Sequence, residues 1–224
     1  MKIGKSLISF LKLTSMLLFP SLGLAEEHSS PSQNWIVSNS GHTATWRNVG
    51  ILSIPSGSIF IGDPSYGSDY HLRGARKILV SKVDVWLLMS ESGHQVHTVW
   101  LEANGNLPSR ISGSIEFGTD SAYFALGDLT AGNDLANIGD LENPDFYDSF
   151  EFFLPHIQDG GFTSVWLDVP PRNAPVLAVE TNRDGGLKAI WVEDSEQNFS
   201  GILIDITGRI GDNLYLDKLL ETSE

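Results

Sequence analysis

The sequence predicts a mainly β fold: a single antiparallel β-sandwich or partly open barrel of about ten short strands, with a short C-terminal helix. Two observations support this prediction. Short apolar runs with a period of two residues recur along the chain, and clusters of Gly, Pro, Asn and Asp separate them. The full chain contains 22 Gly and 10 Pro. Helical signals are weak except at residues 212–220, where Asp212 stands in the N-cap position.

Turn residues between the apolar runs indicate where the chain reverses. Pro55-Ser56-Gly57 predicts a hairpin, because Pro presets φ and Gly accepts a positive φ. Asp184-Gly185 predicts a tight hairpin between two late runs, since this dipeptide supplies the positive φ that such turns need. Turns are also expected at residues 91–94 and 118–120. The runs themselves are residues 49–54, 58–61, 83–90, 95–101, 110–117, 121–126, 163–169, 176–181, 187–192 and 201–206.

One of these strands is predicted to be central in its sheet. Val85 and Leu87 share one face of the run at residues 83–90, and Trp86 and Leu88 on the other face are apolar as well. A strand that is apolar on both faces is covered on both sides. The six Trp residues of the chain mostly fall inside such runs, which favours a role in the core over a sugar-binding platform.

The N-terminal residues have the pattern of a secretory signal peptide. Lys2 and Lys5 precede an apolar run, and the small residues Gly23 and Ala25 occupy the third and first positions before a predicted cleavage. The uninterrupted apolar stretch is shorter than the roughly 20 residues that span a bilayer. We therefore expect residues 1–25 to be cleaved, with no stable membrane insertion of the product.

The rest of the chain is predicted to be one exported domain. Residues 26–34 are polar and without periodicity, which is typical of a flexible tether, and residues 35–224 form the single mainly β domain. A periplasmic or extracellular location follows from the signal peptide. The chain contains no Cys, so the exported fold is held by packing without disulfides.

The charge of the chain is strongly acidic. The formal net charge is −14, and removal of Lys2, Lys5 and Lys12 leaves 11 of the 14 Lys and Arg against 28 Asp and Glu, a charge of −17. Such a field repels nucleic acid and anionic lipid and attracts basic proteins or divalent metals. Solubility of an exported protein is the simpler explanation of the same acidity.

Three segments together resemble an uncharacterised bacterial family, the domain of unknown function 4241. They are residues 55–64 (Pro-Ser-Gly-Ser-Ile-Phe-Ile-Gly-Asp-Pro), residues 159–166 (Asp-Gly-Gly-Phe-Thr-Ser-Val-Trp) and the turn at Asp184-Gly185. About 30 positions scattered over most of the chain after residue 25 carry the resemblance. It implies a β-rich single domain. The family has no established chemistry, so the resemblance adds no site residue.

The leading candidate for chemistry follows the run at residues 58–61. Within nine residues the chain carries two carboxylates, two phenols and an imidazole: Asp63, Tyr66, Asp69, Tyr70 and His71. Asp63, Asp69 or His71 is a candidate general acid or base, and the two Tyr rings are candidates to bind a sugar or peptide side chain. The alternative is ordinary turn chemistry, in which Asp63 binds backbone amides and the Tyr rings cover the core.

A second candidate is the acidic segment at residues 128–151, which has no Lys or Arg. Its carboxylates are candidate ligands of calcium or of a basic partner protein, although the 12-residue calcium loop pattern is missing. A solvated acidic loop is the simpler interpretation. No confident metal site or cofactor is predicted. The binding candidates in this segment are Asp128, Asp134, Asp140, Asp145 and Asp148.

Serine-hydrolase, phosphate-loop and zinc-hydrolase motifs are missing from the sequence, so we favour a binding protein over an enzyme. One form of this hypothesis is a protective, immunity-like inhibitor of a secreted toxin or hydrolase, with the acidic segment against a basic cleft. Two alternatives remain open. They are a carbohydrate- or peptidoglycan-directed hydrolase that uses Asp63, Asp69 or His71, and a structural subunit of an envelope assembly.

Overall fold

The computed structural model describes residues 30–40, 45–63, 76–78, 80–119, 122–138, 152–153, 155, 163–182 and 185–207. These residues contain two helices and eleven strands, one of which has only two residues. The helices are α1 Pro31–Ser40 and α2 Leu129–Ala136. The strands are β1 Thr45–Ser53, β2 Ser58–Gly62, β3 Arg76–Lys77, β4 Lys82–Met89, β5 Val96–Glu102, β6 Arg110–Thr119, β7 Tyr123–Asp128, β8 Ser164–Val169, β9 Ala174–Glu180, β10 Gly185–Glu193 and β11 Phe199–Asp205.

The strands form two antiparallel sheets that pack face to face, and neither closes into a barrel. The larger sheet has the order β1-β4-β5-β11-β10-β6, and the smaller has the order β3-β2-β7-β9-β8. Alternate side chains from both sheets form the main core between them, including Val85, Leu101 and Ile202 from the larger and Phe124 and Leu177 from the smaller. The prediction of a mainly β sandwich is confirmed. The predicted helix at residues 212–220 lies outside the described residues.

A helix covers the outer face of each sheet. Ile36 of α1 packs on Trp100 and Leu203 of the larger sheet, and Leu135 of α2 packs on Phe60 of the smaller. Both sheets are therefore buried on two faces over part of their area, which explains why Trp86 and Leu88 are apolar opposite Val85 and Leu87. The expected central position of this strand is confirmed, because β4 lies between β1 and β5.

Helix α1 begins inside the segment 26–34 that the sequence predicts to be a tether. Ser30 accepts a hydrogen bond from the backbone N–H of Gln33, and the Gln33 side chain accepts one from the backbone N–H of Ser30. This reciprocal pair is a capping box, and Pro31 occupies the first helical position. The hydroxyls of Ser30 and Ser32 also donate to Glu102 at the end of β5. Residues 31–34 thus belong to the fold, in contrast to the prediction, and residues 26–29 lie outside the described residues.

Three of the predicted turns, two of them predicted as hairpins, instead carry the chain from one sheet to the other. The turn at Pro55-Ser56-Gly57 exists, with the N–H of Gly57 donating to the carbonyl of Ile54, but it links β1 of the larger sheet to β2 of the smaller. The same holds for β6 to β7 and for β9 to β10, so the hairpin prediction at Asp184-Gly185 is wrong. Turn residues determine where a chain reverses, whereas the apolar faces of the following strand determine which sheet it joins. The pairs β4–β5, β8–β9 and β10–β11 are true hairpins.

Glycine permits a close approach at the centre of the larger sheet. A Cβ at Gly201 of β11 would lie 2.3 Å from the carbonyl oxygen of Leu101 and 2.3 Å from the Trp100 ring. The fully buried Trp100 ring therefore occupies the space above Gly201. On the outer face of the smaller sheet, Gly132 of α2 leaves room for Phe60 in the same way, since its Cβ would lie 2.6 Å from that ring.

Candidate functional site

A cleft of about 330 Å³ lies at one end of the sandwich, where the chain passes from β9 to β10. It lies beside the first residues of β5 and the last residues of β9 and β11, so both sheets contribute to it. Its volume is at the lower limit of ordinary small-molecule sites. The lining residues are Gln95, Val96, His97, Thr181, Asn182, Ile206 and Thr207.

Backbone hydrogen bonds hold the walls of this cleft. The N–H of Ile206 donates to the carbonyl of His97 at 3.1 Å and ties β11 to β5. The N–H of Thr181 donates to the carbonyl of Ala122 at 2.8 Å and ties the end of β9 to the start of β7. Asn182 has a φ of 55°, a left-handed conformation that Asn tolerates better than most residues. The cleft is therefore shaped by main-chain contacts between strands that are distant in sequence.

The hydroxyl of Thr207 has a fixed role in the cleft. The backbone N–H and the Oγ1 hydroxyl of Thr207 both donate to Oδ1 of the buried Asp205, each at 3.0 Å. Because the hydroxyl proton is used in this contact, Oγ1 presents its lone pairs as a hydrogen-bond acceptor. A ligand that contacts this atom must then supply a donor, such as a hydroxyl or an amine. No Lys, Arg, Asp or Glu is among the described residues that line the cleft.

Two weak acids lie on the outer face of the smaller sheet close to the cleft. Glu180, which precedes Thr181, is the direct cross-strand partner of Tyr123. Burial raises the pKa of the Glu180 carboxyl. Burial and then the negative charge of Glu180 raise the pKa of the Tyr123 phenol. In both groups burial is the largest cause, because it disfavours the charged form.

Only one residue of the predicted cluster at residues 63–71 is described. Asp63 follows β2 directly and is 2% exposed, so its side chain is buried at the end of the strand. Tyr66, Asp69, Tyr70 and His71 lie outside the described residues. The predicted convergence of these side chains therefore stays a prediction.

The described carboxylates of the acidic segment are used within the fold. Asp128 is the N-cap of α2: Oδ1 accepts from the N–H of Thr130 at 2.8 Å, and Oδ2 accepts from the N–H of Ser56 at 2.9 Å. Burial raises the Asp128 pKa, but these hydrogen bonds lower it more, so the net pKa is below its ordinary value. Asp134 accepts from Arg172 at 2.8 Å. The remaining candidates, Asp140, Asp145 and Asp148, lie outside the described residues.

The described part of the chain brings together no group of three or more His, Asp or Glu side chains that could hold a metal ion. Likewise, no helix within the described ranges is long and apolar enough to cross a membrane. Of the two His residues close in sequence, His94 is exposed in the β4–β5 turn and His97 lies in β5.

The sequence reasoning missed the cleft, because its residues come from three separate parts of the chain. The one local signal is Asp205, two residues before Thr207, a spacing at which an Asp side chain commonly bonds the backbone. Fold and cleft together define an open two-sheet β-sandwich with a hydrogen-bonding end cleft, whose described lining contains no Lys, Arg, Asp or Glu. No protein-family model, curated protein or solved structure matches the chain.

Proposed function

We propose that the protein is an exported, non-enzymatic binding protein that holds a small polar ligand in the end cleft. The observation that carries this proposal is the fixed acceptor at Thr207, set in the cleft beside aliphatic Val96 and Ile206. Polar groups that converge in a pocket with apolar walls are the usual basis of small-molecule recognition. The ligand expected from this lining is uncharged or cationic and carries a hydroxyl or amine donor.

The test is a titration of the isotope-labelled protein with separate panels of monosaccharides, free amino acids and short peptides, followed by amide chemical shifts. We expect a saturable response at the cleft residues. The variant Gln95→Trp places a large ring at the exposed rim of the cleft, where it would block access of the ligand. We expect it to weaken binding about ten-fold or more. Ser92→Trp is the matched control, since Ser92 is exposed in the same turn but does not line the cleft.

Two outcomes would reject this proposal. One is the absence of any saturable shift at the cleft for all three panels. The other is an unchanged affinity in Gln95→Trp, which would place the binding elsewhere.

The immunity-like inhibitor is a second form of binding that the charge of the chain supports. Its acidic surface would need carboxylates other than Asp128 and Asp134, which are engaged inside the fold. Exposed acids on the strands and turns, such as Asp84 and Glu116, offer such charges. The hydrolase alternative stays a hypothesis: Asp63 is buried at the end of β2, and Asp69 and His71 lie outside the described residues.

A further inference from the structure

The outer face of the larger sheet carries two carboxylates beside two indole rings. Asp84 and Glu102 are direct cross-strand partners on β4 and β5, and so are Trp86 and Trp100. The two pairs are two residues apart on both strands, so all four side chains share one face of the sheet. Because Val85 lies in the core between the sheets, this face is the outer one. We call these four residues the acidic–indole patch.

The two carboxylates of the patch have no cationic partner. Within the part of the chain that the structure describes, neither forms an ion pair with Lys or Arg, and Lys82, two residues before Asp84, is no exception. Glu102 is 8% exposed, and its Oε1 accepts from the hydroxyls of Ser30 and Ser32 at the start of α1. A cation holds a buried carboxylate more strongly than neutral hydroxyls do. A positively charged group is therefore a better partner for this position than the two serines.

The contact between α1 and the sheet also buries hydrogen-bond donors that have no acceptor. They are Nε2 of Gln33 on α1 and, on the sheet, Nε1 of Trp46, Trp86 and Trp100. Each buried donor without an acceptor lowers the stability of the docked state. The side chains of α1 thus satisfy this face incompletely, and an occupant that carries acceptor oxygens would satisfy it better.

α1 is a short helix that depends on its contact with the sheet. It has ten residues, fewer than the roughly 12–15 at which an isolated helix becomes even marginally stable in water. The hydroxyls on Glu102 and the packing of Ile36 on Trp100 and Leu203 hold it in place. Its release breaks no ladder hydrogen bond, because α1 belongs to neither sheet. Elements held in this way are the ones that open locally while the rest of a fold persists.

We propose that α1 is a releasable cover, and that an extended, arginine-bearing segment of a partner protein replaces it on the acidic–indole patch. Arginine matches both halves of the patch, because a guanidinium pairs with carboxylates and stacks on indole rings. The backbone carbonyls of the segment supply the acceptors that Trp86 and Trp100 lack. An inorganic cation would leave these indole N–H groups without acceptors, so it is disfavoured as the occupant.

The spacing of the anchors of α1 sets the length of the probe. Ser32 and Ile36 are one helical turn apart, about 6 Å along the axis. Two residues of an extended chain cover the same span. The probe is therefore the capped, labelled peptide Ser-Arg-Ser-Leu-Ser, with Arg for Glu102 and Leu for the place of Ile36. Its matched counterpart carries citrulline, which keeps the shape of Arg without the charge.

Binding to the full chain is followed by fluorescence anisotropy, and the cover by amide hydrogen exchange. We expect the Arg peptide to bind about 3- to 10-fold more tightly than the citrulline peptide and to speed up exchange in α1. Ile36→Ala loosens α1 and leaves the patch intact, so it should strengthen the binding of both peptides. Glu102→Gln should remove the preference for Arg, whereas Glu91→Gln, at an exposed turn, should keep it.

Four results would overturn the proposal. They are equal affinities of the two peptides for the wild type, unchanged or weaker binding in Ile36→Ala, binding that leaves exchange in α1 unchanged, and a full preference for Arg in Glu102→Gln. If Glu102→Gln does not fold, Asp84→Asn replaces it at the exposed member of the pair with the same expectation. The cleft variant Gln95→Trp should leave peptide binding unchanged, so failure of cleft binding does not affect this proposal.

Discussion

Replacement of Gly201 by Ala tests the close approach at the centre of the larger sheet. The new methyl group would lie 2.3 Å from both the Leu101 carbonyl oxygen and the Trp100 ring, where ordinary contacts begin at 3.4 Å. Trp100 is fully buried, so its ring cannot move out into solvent without opening the core. The Leu101 oxygen belongs to a backbone that β11 holds in register. Both neighbours must therefore shift by about an ångström, which strains β5 and β11 together.

The size of the destabilisation in Gly201→Ala depends on which atoms the new methyl group meets. Overpacking of a buried site costs about 1–3 kcal/mol, and a backbone clash belongs at the upper end because no rotamer change relieves it. We expect Gly201→Ala to lower the free energy of unfolding by about 3 kcal/mol. This is a large part of the roughly 5–15 kcal/mol by which a domain is stable. The loss outweighs the gain of about 0.5–1 kcal/mol that Ala brings over Gly in a strand.

The assay is equilibrium unfolding in urea, with the midpoint and slope fitted for each variant. Gly118→Ala is the matched control: Gly118 also lies in a strand of the larger sheet, but its Cβ would meet no atom within 4 Å. We expect this control to be neutral or stabilised by up to about 1 kcal/mol. Equal midpoints for the two variants would refute the reasoning. If Gly201→Ala does not fold while Gly118→Ala does, the close approach at Gly201 is supported as well.

Two further predictions concern pH. In Asp128→Asn, an amide N–H₂ replaces an oxygen that accepts from Ser56, so we expect a loss of about 1–2 kcal/mol at neutral pH. The folded Asp128 pKa is lowered, so the carboxylate stabilises the wild-type fold fully above its unfolded pKa, and this stabilisation is lost as pH falls through the folded pKa. The difference in stability between wild type and Asp128→Asn should therefore shrink in acid. The folded Glu180 pKa is raised, so the protonated carboxyl contributes fully to the stability of the fold below the unfolded pKa, and this contribution is lost as pH rises through the folded pKa. Glu180→Gln should therefore be more stable than the wild type at neutral pH and equal to it in acid.

Urea unfolding at a series of pH values checks both variants, with each variant in acid as its own control. If Asp128→Asn lowers the free energy of unfolding by the same amount at every pH, the charge of the carboxylate does not contribute to stability. An unchanged or lower stability of Glu180→Gln at neutral pH would contradict the burial of that carboxyl.

The strands were predictable because alternation of apolar and polar residues is a local pattern. The run at residues 83–90 even predicted its central position, since both of its faces are apolar. The partners of the strands were not predictable from the same pattern. Pro55-Ser56-Gly57 is a sound turn in either arrangement, and nothing within it specifies that β2 joins the other sheet. Sheet membership depends on contacts between residues far apart in sequence, such as Ile61 with Leu126.

The start of α1 was predictable from a signal that composition obscured. Ser30-Pro31-Ser32-Gln33 has the spacing of a capping box with Pro at the first helical position. Its polar residues instead suggested a tether, because their burial depends on Glu102, which lies 70 residues after Ser32. The cleft was beyond sequence reasoning for the same reason. Ile206 and His97 meet only when β11 is inserted beside β5.

The insertion of β11 and β10 between β5 and β6 has a consequence for how the chain folds. The strands β1, β4 and β5 form one part of the larger sheet, and among the described strands β6 has no ladder partner until the β10–β11 hairpin arrives and pairs with both sides. The contacts that complete the sheet therefore join residues 66 to 107 positions apart. Such closure is slow, because loop entropy must be overcome before the contacts form. The β10–β11 hairpin thus completes the larger sheet by joining its two parts. A ribosome-bound chain that ends before β10 would leave both β5 and β6 as open edges.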